Sequence, residues 1–160
     1  QLIQALKDGE NVVVLQAHLV LTKITYWNLP KNYDLWKTWW EYYEQKDVEK
    51  IANLVYNESN ELARLAILEL GKIRDPKCVP ILLEFLSGFS PNETNPAKRQ
   101  LMLMIILTLR TIPLKESASV LVKYLQSQNL EIRSASYNAL RTITGKDFPL
   151  EYEAWREFEK

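Results

Sequence analysis

The chain has 160 residues, 47% of them apolar and 25% charged, a length and balance that suit a folded domain and exclude a disordered segment. Lysine plus arginine equals aspartate plus glutamate, 20 each, so no strong field favours nucleic acid or an anionic membrane. A single cysteine, Cys78, rules out an internal disulfide and a multi-cysteine zinc site, and the apolar run Leu101 to Leu109 falls well short of the ~18 residues of a membrane span.

In chain order, Leu2, Ile3 and Leu6 read as the end of a first helix that exits through Lys7-Asp8-Gly9. Because the chain starts inside helical pattern, it is expected to be a piece of something longer, and the lack of a signal peptide says little about compartment. Asn11 is placed to cap a second helix running to about Thr25, with Val13, Val14, Ala17, Leu21 and Ile24 on its apolar face. Tyr26 to Asn32 is a turn containing Pro30. Tyr33 to Gln45 is a helix crowded with aromatics, Tyr33, Trp36, Trp39, Trp40, Tyr42 and Tyr43.

Asp47 to Tyr56 and Asn60 to Ile73 then make a helix pair. In its second helix Leu62, Leu65, Ala66, Leu70 and Ile73 recur at three- and four-residue steps, with Ser59 or Asn60 as cap and Glu61 suiting the helix dipole. Asp75-Pro76 ends it, since proline lacks the amide and biases its predecessor away from helix. Lys77 to Leu86, with Val79, Leu82, Leu83 and Leu86 on one face, pairs with Pro96 to Ile112 across the longest loop, Ser87 to Asn95. Lys115 to Gln126 pairs with Asn129 to Thr144, and a turn at Gly145 to Pro149 leads to a last helix from Glu151. Apolar residues keep helical spacing throughout, and no strand is expected.

Two internal similarities organise these helices. Leu-x-x-Ile closes the second helix of each pair, at Leu21 to Ile24, Leu70 to Ile73, Leu109 to Ile112 and Leu140 to Ile143, which gives a unit of about 31 residues with insertions. Independently, Leu21 to Trp39 aligns without a gap on Leu140 to Phe158, matching Thr25 with Thr144, Pro30 with Pro149, Tyr33 with Tyr152 and Trp36 with Trp155. Each copy reads as a repeat helix, a proline turn and a short aromatic helix folded back, a seal over the last apolar face of a stack. Residues 1–46 are therefore expected to be the end of a preceding helical repeat with its aromatic cap, 47–144 the repeats proper, and 145–160 a second cap.

Leu65-Ala66, Leu70-Gly71-Lys72-Ile73, Asp75-Pro76 and Val79-Pro80-Leu82-Leu83 resemble the bacterial HEAT-like repeat of the phycobilisome-lyase type. Ile132-Arg133, Ala135, Ala139-Leu140 and Ile143 resemble the same helix in another copy, and Thr144-Gly145-Lys146-Asp147-Phe148 with Trp155 is similar to endings that follow such repeats. The resemblance implies an all-α fold, an α-solenoid of stacked antiparallel helix pairs forming a right-handed, HEAT-like superhelix. It does not choose an activity, because the family includes scaffolds, chromophore lyases and a hydroxylase. The hydroxylase implies iron held by repeated His-Glu pairs, which this sequence lacks.

Residues able to carry chemistry have structural readings that compete with the functional ones. His18 is the sole histidine and no HxxxH, HE or CxxC spacing gives it a partner, so it reads as a packing or surface residue. Cys78 beside the Val79 stripe reads as a core thiol, and Glu41, Glu44, Glu49, Glu151, Glu153 and Glu157, with Lys46, Lys50, Arg156 and Lys160 nearby, as a solvated charged face. No cofactor or metal is expected. The aromatic helix packs as a seal, yet it carries more rings than one face can bury, and exposed Trp and Tyr anchor protein partners. The loop Ser87 to Asn95 is either a tolerated excursion or a contact loop.

The sequence thus points to a non-enzymatic HEAT-repeat scaffold for protein–protein interaction, a structural or adaptor subunit of a larger assembly, with Trp39, Trp40, Tyr43, Arg64, Arg99 and Arg133 as candidate partner-binding residues. The partner's identity is open, and nucleic acid is not expected. The alternative is a chromophore-lyase-like or small-ligand-binding protein of the same repeat type, and a HEAT-like DNA glycosylase is disfavoured by the balanced charge.

Overall fold

The computed structural model describes residues 1–45 and 47–159, and the side chains of Tyr43 and Gln45 are outside the described set. Lys46 and Lys160, named above in the charged face, lie outside the described residues. Among the described residues every regular element is helical: α1 (Asn11–Thr25), α2 (Tyr33–Gln45), α3 (Val48–Asn53), α4 (Asn60–Ile73), α5 (Val79–Ser87), α6 (Pro96–Thr111), α7 (Ser117–Lys123), α8 (Leu130–Thr144) and α9 (Tyr152–Trp155), with short 3₁₀ turns before, after or between them. The chain divides into two compact units, Gln1–Ile51 and Ala52–Lys160.

In the first unit the expected opening helix is a single 3₁₀ turn, Gln4–Lys7, held by Leu6 against the core. Glu10, and not Asn11, is the N-cap of α1, and it makes no side-chain capping bond. Ala17 and Leu21 face inward from α1, whereas Ile24, expected on that face, is 55% exposed. The helix ends where Tyr26 enters the left-handed region at φ 60°, its N–H bonding the Thr22 carbonyl. Trp27, Leu29, Trp36, Trp39 and Ile51 are buried as well.

The second unit is organised around three neighbouring helices, α4, α6 and α8. Thr108 Oγ1 of α6 donates to the Ile67 carbonyl of α4 at 3.4 Å, and a Cβ added at Gly71 would stand 3.4 Å from the same oxygen. Gly71 therefore lets α4 and α6 approach closely. Pro96 and Arg99 of α6 share one groove with Asn129, Glu131 and Ile132 at the start of α8, while Arg110 shares another with Asn138, Arg141 and Thr142 near its end. Like ends meet like, so α6 and α8 run parallel. α5 packs on α6 and α7, and α7 on α8. Leu70, Leu82, Leu86, Ile105, Ile106, Leu121 and Leu140 are fully buried among them.

Starts and stops follow the side chains present. Asn95 accepts from the N–H groups of Ala97 and Lys98 at 2.9 and 3.2 Å, and Asn129 accepts from Glu131 and Ile132 at the same two distances. Ser59 is the N-cap of α4 but makes no side-chain capping bond. Asp75 caps the short 3₁₀ turn Pro76–Cys78 that leads into α5, accepting from the Lys77 N–H at 2.9 Å. Leu-Arg-Thr-Ile proves a misleading register mark: Ile143 lies inside α8, while Ile112 is already the C-cap of α6 with φ −122°. The paired asparagine caps set the register, and the identical tetrapeptides occupy different helical positions.

The end-to-end similarity, by contrast, is a structural one, and each copy closes within its own unit. Thr25 Oγ1 bonds the Leu21 carbonyl at 2.7 Å and Thr144 Oγ1 the Leu140 carbonyl at 2.7 Å. Each hydroxyl then accepts from an N–H two residues on, Trp27 at 3.2 Å and Lys146 at 3.1 Å. Tyr26 and Gly145, at φ 60° and 68°, make the same left-handed exit. The Trp36 indole donates to the Pro30 carbonyl at 3.0 Å and the Trp155 indole to the Pro149 carbonyl at 2.6 Å. Edge-on partners also correspond: His18 stands 6.1 Å from Trp36 and Tyr137 stands 6.0 Å from Trp155. Moreover, the match extends upstream to the 3₁₀ turn holding Leu6, whose counterpart Tyr124–Gln126 holds Leu125.

Candidate interaction surface

Arg64, Arg99 and Arg133 stand on the three neighbouring helices of the second unit, with partly exposed side chains. Arg99 and Arg133 occupy the same step after their caps, the N–H of each bonding the Asn95 or Asn129 carbonyl at 3.0 Å. Arg64 pairs with Glu61 at 3.4 Å, and its Nε is buried with no hydrogen-bond partner among the described residues. Arg133 donates to the Ser127 carbonyl at 2.8 Å, so part of its work is structural. Arg99 lines the groove at the N-terminal ends of α6 and α8 together with Gln100, Leu103 and Glu131. Exposed leucines accompany these cations: Leu68 lies one turn beyond Arg64, and Leu107 two turns beyond Arg99 on the same side of α6, each 42% exposed.

The aromatic candidates belong to the first unit. Trp39 is fully buried, with its ring edge-on to Trp27 at 5.3 Å, and is thereby corrected from surface anchor to core residue. Trp36, which shares its face, is also fully buried. Trp40 and Tyr42 are half-buried. The Tyr43 side chain lies outside the described set. Packing of the seal thus takes the rings one turn apart, and of the named tryptophans it leaves Trp40 with open surface.

The long loop is tied down rather than free. The Tyr124 hydroxyl donates to the Leu86 carbonyl and reaches the Phe89 carbonyl at 3.2 Å, Ser127 Oγ donates to the Pro91 carbonyl at 2.6 Å, and the Gln128 N–H to Asn92 Oδ1 at 2.7 Å. These bonds fix the segment before α6 onto the turn before α8. Burial pushes the Tyr124 phenol up to about 12.

Residues weighed for chemistry sit in packed surroundings. His18 Nε2 lies 2.6 Å from the Leu29 carbonyl, which can only accept, so this nitrogen carries the proton and donates. Cys78 is fully buried, its Sγ donating to the Asp75 carbonyl at 3.1 Å, and burial first, then the Asp75 charge, pushes the thiol up to about 11. Among the described residues no group of three or more His, Cys, Asp or Glu is placed to hold a metal, and no helix is long and apolar enough to cross a membrane. The groove of about 560 Å³ formed by Arg110, Asn138, Arg141, Thr142, Gly145, Lys146 and Asp147 is open and polar, with Arg141 already paired to Asp147 at 2.7 Å.

One surface was not anticipated. α1 exposes Val12, Leu15, Leu19, Val20 and Ile24, and Tyr26 beyond it is 89% exposed. The signal was present: α1 is apolar on nearly every side, the mark of a helix meant to be covered all round, and only one of its faces was assigned. Comparison with family models, curated proteins and solved structures returns no significant match.

Proposed function

We propose that this chain is a non-enzymatic protein-interaction scaffold, built as a HEAT-like α-solenoid and serving as a structural or adaptor subunit of a larger assembly. The observation that supports this most is the set of neighbouring helices α4, α6 and α8, whose outward sides combine arginine with exposed leucine over a fully buried core. Arginine beside open apolar surface suits protein contacts, where guanidinium groups and apolar anchors together supply most of the binding energy. Rigidity supplies the rest of the argument. Side-chain caps at Asn95 and Asn129 and the tied-down loop fix the helices before a partner arrives, so little conformational entropy is lost on docking.

The test begins with capture of a partner from native lysate on residues 1–160 as bait, followed by affinity measurements with the purified partner. Arg64→Glu, Arg99→Glu and Leu107→Asp are each expected to weaken binding by roughly tenfold or more. Trp40→Ala tests whether the first unit contributes as well. Affinities within about twofold of the parent for all four variants would refute this assignment of the surface.

A further inference from the structure

The correspondence between the two ends of the chain shows what α1 lacks. At the constant offset that pairs Trp36 with Trp155, Val13, Gln16, Val20 and Ile24 of α1 take the places of Ile132, Ala135, Ala139 and Ile143 of α8. All four α8 residues are buried, and Ile132 lines the groove that α8 shares with α6. On α1 the same positions are more open: Val13 is half-buried, Val20 is 39% exposed where Ala139 is 0%, and Ile24 is 55% exposed where Ile143 is 8%. The element before each helix repeats the contrast, since Leu2 is 37% exposed and its counterpart Leu121 is 0%. Apart from Gln16 these residues are apolar, and they match a buried face of α8, the helix that packs on α6 in the second copy of the module.

We infer that the Val13–Val20–Ile24 face of α1 is the seat for a helix pair of the α5–α6 kind, whose second helix lies parallel to α1 as α6 lies to α8. This rests on the helical-repeat reading above and continues an interface already present in the second unit. The occupant presents an apolar stripe to Val20 and Ile24 and a hydrogen-bonding side chain to Gln16, which stands where α8 has Ala135. Its first helix covers Leu2. A head-to-tail second copy is a poorer occupant, because the α8 end of this chain already carries its own seal, with Trp155 fully buried against Phe148 and Tyr137.

The probe is this chain's own helix pair. Gln1 aligns with Val120, so a copy of residues 79–119 joined directly ahead of Gln1 recreates the natural Ser119–Val120 connection without a linker. In the extended protein, amides of the added segment and of α1 are expected to be protected from hydrogen exchange. Val20→Asp and Ile24→Asp are expected to lower its Tm by more than about 4 °C while leaving that of the parent 160-residue chain unchanged. An added segment that exchanges freely on a folded chain would overturn the inference. So would a parent chain that proves dimeric by light scattering and is made monomeric by the same two substitutions, since the face would then be taken by a second copy. Neither result depends on the arginine surface of α4 and α6, so failure here and failure of the scaffold reading are separable.

Discussion

Removing the Trp155 ring tests the seal from which the architecture was read. Trp155 is fully buried, touches the rings of Tyr137, Phe148 and Phe158, and bonds the Pro149 carbonyl at 2.6 Å. A buried indole hides roughly 200 Å² of surface, worth about 4 kcal/mol after the residual alanine is counted, and the cavity left behind keeps the cost in the range of about 3–5 kcal/mol. Trp155→Phe keeps most of that surface and loses the hydrogen bond, at a cost of about 1–2 kcal/mol. Since Trp36 makes the same bond to Pro30 at 3.0 Å, Trp36→Phe should cost a similar amount. Urea denaturation followed by far-ultraviolet circular dichroism measures all three without depending on tryptophan emission. A Trp155→Ala cost below about 1.5 kcal/mol, or phenylalanine variants costing as much as alanine, would refute the reasoning.

Other expectations follow from single positions. Tyr26 adopts φ 60° without being glycine, so Tyr26→Gly should stabilise the protein by up to about 1 kcal/mol, while Gly145→Ala at φ 68° should cost about 1 kcal/mol; equilibrium unfolding of the pair compares them. Asn95→Ala and Asn129→Ala should each cost about 1 kcal/mol, and Ser59→Ala, which removes no capping bond, should fall within about 0.5 kcal/mol. Cys78 should resist a thiol-specific chromogenic disulfide in the folded protein and react at once in urea; rapid reaction of native protein would contradict its burial. Both Cys78 and Tyr124 are raised in the folded state, so their contribution is fully present below pH 9.0 and is lost as pH rises through about 11 and 12. Urea midpoints at pH 8 and pH 11 should therefore lie closer together in Tyr124→Phe than in the parent.

How much the sequence revealed depended on whether a residue's neighbours were local. Asp75-Pro76 acts within one turn, and the α4 span it implies together with Ser59 or Asn60 matches the structure, as does the aromatic span of α2. The duplicated seal was legible because Thr25, Pro30 and Trp36 each bond within a few residues, and so do Thr144, Pro149 and Trp155. Long-range facts were not. Arg133 reads from the sequence as a partner-binding candidate, yet it also bonds Ser127, and the loop at Ser87 to Asn95 reads as either an excursion or a contact loop because its ties come from Tyr124, Ser127 and Gln128, more than thirty residues on. Trp39 illustrates the same limit: its spacing from Trp36 put it on the sealed face, and only Trp27, brought back by the left-handed turn at Tyr26, decided that it was buried. Identity between two Leu-Arg-Thr-Ile segments proved weaker than capping chemistry as a guide to register, because a tetrapeptide does not specify where its helix stops.

The measurement that bears most directly on the scaffold reading is a hydrogen-exchange footprint of the 160-residue chain with and without the captured partner. The account predicts slowed exchange concentrated on α4, α6 and the start of α8, around Arg64, Arg99 and Leu107, with the buried Trp36 and Trp155 seals unaffected. Protection confined to other surfaces, or a bait that retains no stoichiometric partner after a moderate-salt wash, would contradict it.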